Sequence, residues 1–127
     1  TGDTQLTFSQ EIKMDGAIIV STPQEVALLD VKRGIKMFDK LGVKIIGLID
    51  NMSYFIGDDG KKYKIFGEGG VKRTAEEFEK EFLGEIPINP LVGKTGDEGK
   101  PLVESIPEHE ISKIFIELAK KIKSNYF

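Results

Sequence analysis

Residues 16–50 set two short apolar runs, GAIIVST and KIIGLID, on either side of a single amphipathic helix signal, and few folds accept that order. Both runs are rich in Ile and Val and too short for helices of their own, which is how strands buried on both faces of a sheet read. Between them, Thr22, Pro23 and Glu25 spell a helix start: a capping hydroxyl, a proline suited to the first helical position, and a glutamate that completes a capping box. Leu28, Val31, Ile35 and Phe38 then recur at helical spacing as far as Gly42, a natural C-terminal stop. Strand, helix and strand with tight connections form a βαβ unit, so the two strands are expected to be parallel and the crossover right-handed.

The remaining chain extends this pattern. Residues 54–66 predict a β-hairpin, because Asp59-Gly60 lies between segments containing Tyr, Phe and Ile. Val71, Ala75, Phe78 and Phe82 mark one face of a further helix, and LGEIP, residues 83–87, is a third strand candidate. Residues 89–101, rich in Gly, Pro and charge, read as a surface loop. Ser105 with Glu108 forms a second capping-box pattern, with Pro107 in the first turn, ahead of a helix whose apolar face is Ile111, Ile114, Phe115, Leu118 and Ile122. Asp3 to Ile12 gives a weaker helix signal. The expected class is α/β, a doubly wound, mostly parallel sheet with a hairpin insertion in one domain spanning residues 1–127. Three parallel strands make a thin sheet for this class. Further strands are therefore expected in sequence outside these residues or in a partner chain, an expectation that the start at Thr1 rather than Met strengthens.

Composition narrows the function classes. Basic and acidic residues nearly cancel at a net charge of -3, so there is no overall basic field for nucleic acid. Cysteine is absent, which excludes a disulfide framework and any thiolate metal site made by this chain alone. No apolar run approaches the roughly 20 residues of a membrane span, and the first residues do not read as a signal peptide. The expected setting is cytoplasmic, with no nucleic-acid or membrane partner.

In open parallel sheets, ligands bind beyond the carboxyl ends of the strands. Three phrases hold such positions: Ser21-Thr22-Pro23-Gln24, Asp50-Asn51-Met52-Ser53 and Ile86-Pro87-Ile88-Asn89. Asn51 has two readings: its amide can match the donor and acceptor edge of a purine, or it can cap the loop after its strand. The glycines of GEGG, residues 67–70, precede a helix and have two readings: amides that cradle an anion, or, the favoured one, a loop leading into the helix. Neither Gly-x-x-x-x-Gly-Lys-Ser/Thr nor Gly-x-Gly-x-x-Gly occurs in the chain. Asp58-Asp59-Gly60 opens like a calcium loop, but its twelfth position is Gly69 rather than Glu. His109, the single histidine, reads as a solvated surface residue, and Lys120, Lys121 and Lys123 as complements to a helix C-terminus.

The phrases TPQEVALLDVKRGIKMF, NMSYF, IFGEGG, LGEIPI and DEGKPLV stand in the order and spacing found in the Mrp family of iron-sulfur cluster carrier ATPases. That family belongs to the deviant Walker-A, nitrogenase-iron-protein-like class of P-loop NTPases. The opening TGDTQLTFSQ resembles the end of the family's switch II motif, Asp-x-Pro-Pro-Gly-Thr-Gly-Asp, and the residues just beyond it, so the likeness runs from Thr1 to about Val103. The resemblance implies the C-terminal half of such a protein, lacking the N-terminal half that carries the phosphate loop. It implies ATP and Mg binding in the full-length protein, a homodimer, hydrolysis linked to passing on an iron-sulfur cluster, and iron-sulfur apoproteins or assembly factors as partners. Carried over by residue, Asn51 resembles the purine-reading asparagine, Pro87 and Ile88 the segment packed near the base, and Thr1, Gly2 and Asp3 the tail of switch II. No catalytic residue is implied within this chain, and the fragment alone is expected to be inactive as an ATPase.

One departure accompanies the match. Many members carry Cys-Pro-x-Cys just after Asn-Met-Ser-Tyr-Phe, whereas this chain has Ile56-Gly57-Asp58-Asp59-Gly60. Aspartates are hard oxygen ligands, poorly matched to a cluster held by soft thiolates. Two other classes compete with the carrier reading: a non-catalytic interaction or dimerisation module, and a related partitioning-type ATPase.

Overall fold

The computed structural model of the chain describes residues 2–127. Three parallel strands form the main sheet in the order β1-β2-β5: β1 is Ala17–Ser21, β2 Ile45–Asn51 and β5 Phe82–Ile86. Helix α1, Gly2–Glu11, packs on α2, Glu25–Leu41, and α2 with α3, Gly70–Glu77, covers one face of the sheet. Ile35, Leu48, Val71 and Ala75, all fully buried, are at the centre of that layer. On the other face, Ile49, Leu83 and Ile86 meet Leu118 of α6, Glu110–Tyr126. A separate hairpin, β3 (Phe55–Ile56) and β4 (Lys62–Tyr63), projects between β2 and α3 in the chain. Helices α4, Pro90–Asp97, and α5, Leu102–Ser105, lead from β5 to α6.

The expected α/β class, parallel βαβ unit and hairpin are all present. Gly42 ends α2 in the left-handed conformation, φ 72°, with its N–H on the carbonyls of Phe38 and Asp39, as its place in the sequence predicts. Gly47 lets β5 approach β2: a Cβ there would lie 2.5 Å from Leu83 Cγ and 3.0 Å from the Glu81 carbonyl oxygen.

Four local expectations are corrected. Thr22 and Glu25 form no capping box; α2 begins at Glu25, Gln24 is its N-cap, and the Thr22 hydroxyl bonds the Gln24 side chain at 3.1 Å. Tertiary packing is the reason, because the GEGG loop closes over this turn. A Cβ on Gly67 would come within 3.1 Å of the Pro23 carbonyl oxygen, and one on Gly70 within 2.6 Å of Leu28 Cδ1 and 3.2 Å of the same oxygen, so these glycines let the loop pack closely on Pro23 and α2. Helix α3 is shorter than its apolar spacing predicts, since Glu79 turns left-handed at φ 55° and Phe82 enters β5 opposite Leu48. Phe78 and Phe82 share a core without sharing a helix. Residues 89–101 hold helix α4 rather than a loop alone: the Asn89 side chain caps it by accepting from the Leu91 N–H at 2.9 Å, and Pro90 takes the first turn.

The fourth correction concerns His109, which is the N-cap of α6 rather than a bystander. Its Nδ1 accepts from the Ile111 N–H at 3.1 Å. Ser105 does not fill that role because it is the last residue of α5, before the start of α6 at Glu110; its hydroxyl donates to the carbonyls of Lys100 and Pro101 at 2.8 and 3.0 Å. Replacing His109 by Ala is expected to lower stability by about 1 kcal/mol, whereas His109→Asn, which keeps a cap, loses far less. Urea unfolding of the two variants decides this; equal midpoints would remove the cap from the account.

The two outer strands differ at their edges. On β5, Lys121 of α6 donates to the carbonyls of Phe82 and Leu83 at 3.3 and 3.2 Å. β1 has no outer neighbour among the described residues, and on the sheet face away from α2 its Ile18 and Val20 are 39% and 55% exposed, an apolar surface that sheets ordinarily cover.

Candidate functional site

The carboxyl ends of β2 and β5 are knitted together. Asn51 pairs with Ile86 across the sheet, the Ser53 N–H donates to the Ile86 carbonyl at 3.0 Å, and the Ile88 N–H donates to the Tyr54 carbonyl at 2.7 Å. Met52, between Asn51 and Ser53, adopts φ 55°, a left-handed conformation that non-glycine residues rarely take and that needs surrounding support. Asn51, Pro87 and Ile88, named separately from the sequence, thus meet at one strand end. Pro87 is buried, and Asn51 and Ile88 are half-buried. In contrast to Asn89, whose side chain caps a helix, Asn51 has no side-chain hydrogen bond within the described residues. Its amide is available to an outside group.

Beneath Asn51 lies a group that sequence reading passed over. Asp50 is 1% exposed, and one of its carboxylate oxygens, Oδ1, has no hydrogen-bond partner. Burial, and then the Glu85 carboxylate opposite it on β5, push its pKa up to about 6; the Ser53 hydroxyl and the Lys64 ammonium pull in the other direction. Lys64, just beyond β4, reaches Glu85 Oε2 at 3.4 Å and lies 5.3 Å from the centre of the Tyr54 ring, with Lys62 at 4.4 Å. Tyr54 is itself pushed upward, by burial first and then by Glu85 and Glu110. The one signal in the sequence was an aspartate closing an otherwise apolar strand, with a serine three residues on.

The hairpin is polar at its tip and apolar along its arms. Asp59 accepts from the Tyr63 hydroxyl and, at 2.9 Å, from the Lys61 N–H, which together hold its carboxyl below the usual range. Phe55, Ile56 and Tyr63 are exposed. Among the described residues no group of three or more His, Asp or Glu side chains is placed to hold a metal ion. Of the three residues matched to the switch II tail, Thr1 lies outside the described residues, while Gly2 and Asp3 occupy the first turn of α1. Gln5 of that helix borders a groove with Val20, Ser21 and Thr22 at the end of β1, so α1 adjoins β1 rather than the Asn51 turn. Among the described residues no helix is long and apolar enough to cross a membrane.

Residues 1–123 match a family model described as the NUBPL iron-transfer P-loop NTPase. The chain is 45% identical over 121 residues to an iron-sulfur cluster carrier protein of Aquifex aeolicus, covering 94% of this chain and 33% of that one. It is 46% identical over 123 residues to an Arabidopsis thaliana iron-sulfur protein required for NADH dehydrogenase, mitochondrial, covering 96% of this chain and 39% of that one. It therefore spans about a third of the length of the curated relatives it matches. Among solved structures, a nucleotide-binding protein of Archaeoglobus fulgidus in complex with ADP is 35% identical, with TM-score 0.68 over 87% of this chain and 48% of that one. The MinD cell division protein of Aquifex aeolicus, 20% identical, shares the fold at TM-score 0.70 over 98% of this chain and 49% of its own.

Proposed function

The chain belongs to the NUBPL iron-transfer P-loop NTPase family, and from that premise we propose that it is the C-terminal part of an ATP-binding iron-sulfur cluster carrier. In this reading Asn51 hydrogen-bonds the purine edge, and Pro87 and Ile88 give the base an apolar wall. The observation that carries it is the uncommitted, half-buried Asn51 amide at the joined carboxyl ends of two parallel strands. The phosphates and Mg are held elsewhere, because the phosphate-loop pattern does not occur in these residues. β1 has no outer neighbour among the described residues, which supports further strands outside them, and the half-length overlap with the ADP-bound relative agrees.

The residues here do not fit a cluster held by thiolates. There is no cysteine, and where relatives of the Mrp type carry the Cys-Pro-x-Cys pair, Asp59 is occupied within its own hairpin. Thiolates for a cluster as cargo must come from residues outside this segment. The exposed Phe55, Ile56 and Tyr63 favour a second reading, a dimerisation module, in which the hairpin is the contact surface. Light scattering without nucleotide separates the two.

Asn51→Ala in the full-length protein is expected to weaken ATP binding about tenfold, since an unmatched purine edge loses roughly 1–2 kcal/mol. Titration calorimetry measures it. Unchanged affinity in a folded variant would take Asn51 out of the site.

A further inference from the structure

We propose that Lys64 and Glu85 are positioning residues for the turn that carries Asn51, transmitting the seating of the β3–β4 hairpin through Asp50 and Ser53 to the strand-end site, an inference that rests on the reading of Asn51 as the nucleotide contact. The connection is continuous. Lys64 follows the hairpin's second strand and is ion-paired at 3.4 Å with Glu85 of β5. Glu85 stands in register with Asp50 on the neighbouring strand β2. Asp50 is hydrogen-bonded by the Ser53 side chain, and the Ser53 N–H is fixed to β5 through the Ile86 carbonyl. Only Asn51 and Met52 lie between Asp50 and Ser53, so the turn is clamped at both ends, with Met52 held left-handed at φ 55°.

Charge makes the clamp sensitive to the hairpin. Two carboxylates on adjacent strands repel, and one of them is buried with an unpartnered oxygen. The groups acting on Asp50 are Glu85 from β5, Lys64 from the hairpin arm and Ser53 from the turn; Lys64 is the only cation among them. Tyr54, which both hairpin lysines overlie, leads directly from the turn into the hairpin, so the arm and the turn move as neighbours. When a partner or cargo shifts the hairpin and draws Lys64 from Glu85, Asp50 must take up a proton or the turn must change shape. Either event alters the presentation of Asn51.

The test uses the full-length protein with Lys64→Ala, Glu85→Gln and Lys64→Arg, following ATP affinity by calorimetry from pH 5 to pH 8 and the Asp50 carboxyl signal by carbon NMR. Lys64→Ala should weaken ATP binding about two- to fivefold, the range of a partly exposed ion pair. It should move the Asp50 midpoint up, whereas Glu85→Gln should move it down and Lys64→Arg should leave it in place. Opposite displacements from two neutralisations are not what general loosening of the fold produces. Midpoints that stay put, or that move together, overturn the inference, as does an Asp50 midpoint that moves while ATP affinity does not. If the protein binds no ATP at all, the reading of Asn51 fails and the positioning role falls with it, while the NMR midpoints still report whether Lys64, Glu85 and Asp50 are linked.

Discussion

Leu48→Ala is expected to destabilise the protein by about 4 kcal/mol, near the top of the range for truncating a buried leucine. Leu48 is fully buried at the middle of the central strand, flanked by Ile19 on β1 and Phe82 on β5, all three on the face covered by α2 and α3. The cost of such a truncation depends on whether the surroundings can collapse into the space. Here they cannot easily do so, because Gly47 already brings β2 into contact with Leu83 on the opposite face and both neighbouring strands fix the backbone. At about 4 °C per kcal/mol for a chain of this size, the midpoint of thermal unfolding should fall by about 15 °C. Val26→Ala, at a residue 71% exposed on α2, should stay within about 0.5 kcal/mol of the parent. A Leu48→Ala loss below about 1 kcal/mol would show that this layer is not the principal core.

Asp50 should give the protein an unusual pH response. Its folded pKa is raised from 3.8 to about 6, so between these values the native state holds the proton more tightly than the unfolded chain. The stability from this preference is complete below pH 4 and is lost as the pH rises through 6, a total of about 3 kcal/mol. Asp50→Asn, which keeps the shape and carries no charge, should remove that loss. Denaturant unfolding of both proteins at pH 4, 5, 6, 7 and 8 isolates the effect, since all other titrating groups are common to the two. The variant should gain on the parent steadily between pH 4 and 7. Parallel curves would mean that the carboxylate is solvated in solution.

Much of the architecture was legible because it depends on neighbours in sequence. Val31, Ile35 and Phe38 repeat at helical spacing and form one buried face; Gly42 stops the helix where a left-handed residue is needed; Asp59-Gly60 turns the hairpin. Misreadings arose where distant backbone decided the outcome. Thr22 could have capped α2, but the Gly67–Gly70 loop packs on the Pro23 carbonyl. Phe82 continued a helical spacing, but opposite Leu48 it is worth more in the sheet. The α4 signals, Asn89 and Pro90, were present and were outweighed by Gly93 and Gly96, whose flexibility costs a helix only about 1 kcal/mol each.

The same division holds at the candidate site. Asn51, Pro87 and Ile88 could be selected from the sequence because strand ends are local features and because parallel sheets bind ligands there. The order of the elements and the family are likewise properties of the sequence alone, carried by apolar period and by phrases in fixed order. Only the tertiary structure decided that Asp50, Lys64 and Glu85 meet, and that Asn51 has no internal partner while Asn89 has one. A charge's pKa and a polar group's satisfaction depend on burial and on atoms a few ångströms away, and these residues are brought within that distance only when β2, the hairpin and β5 are assembled.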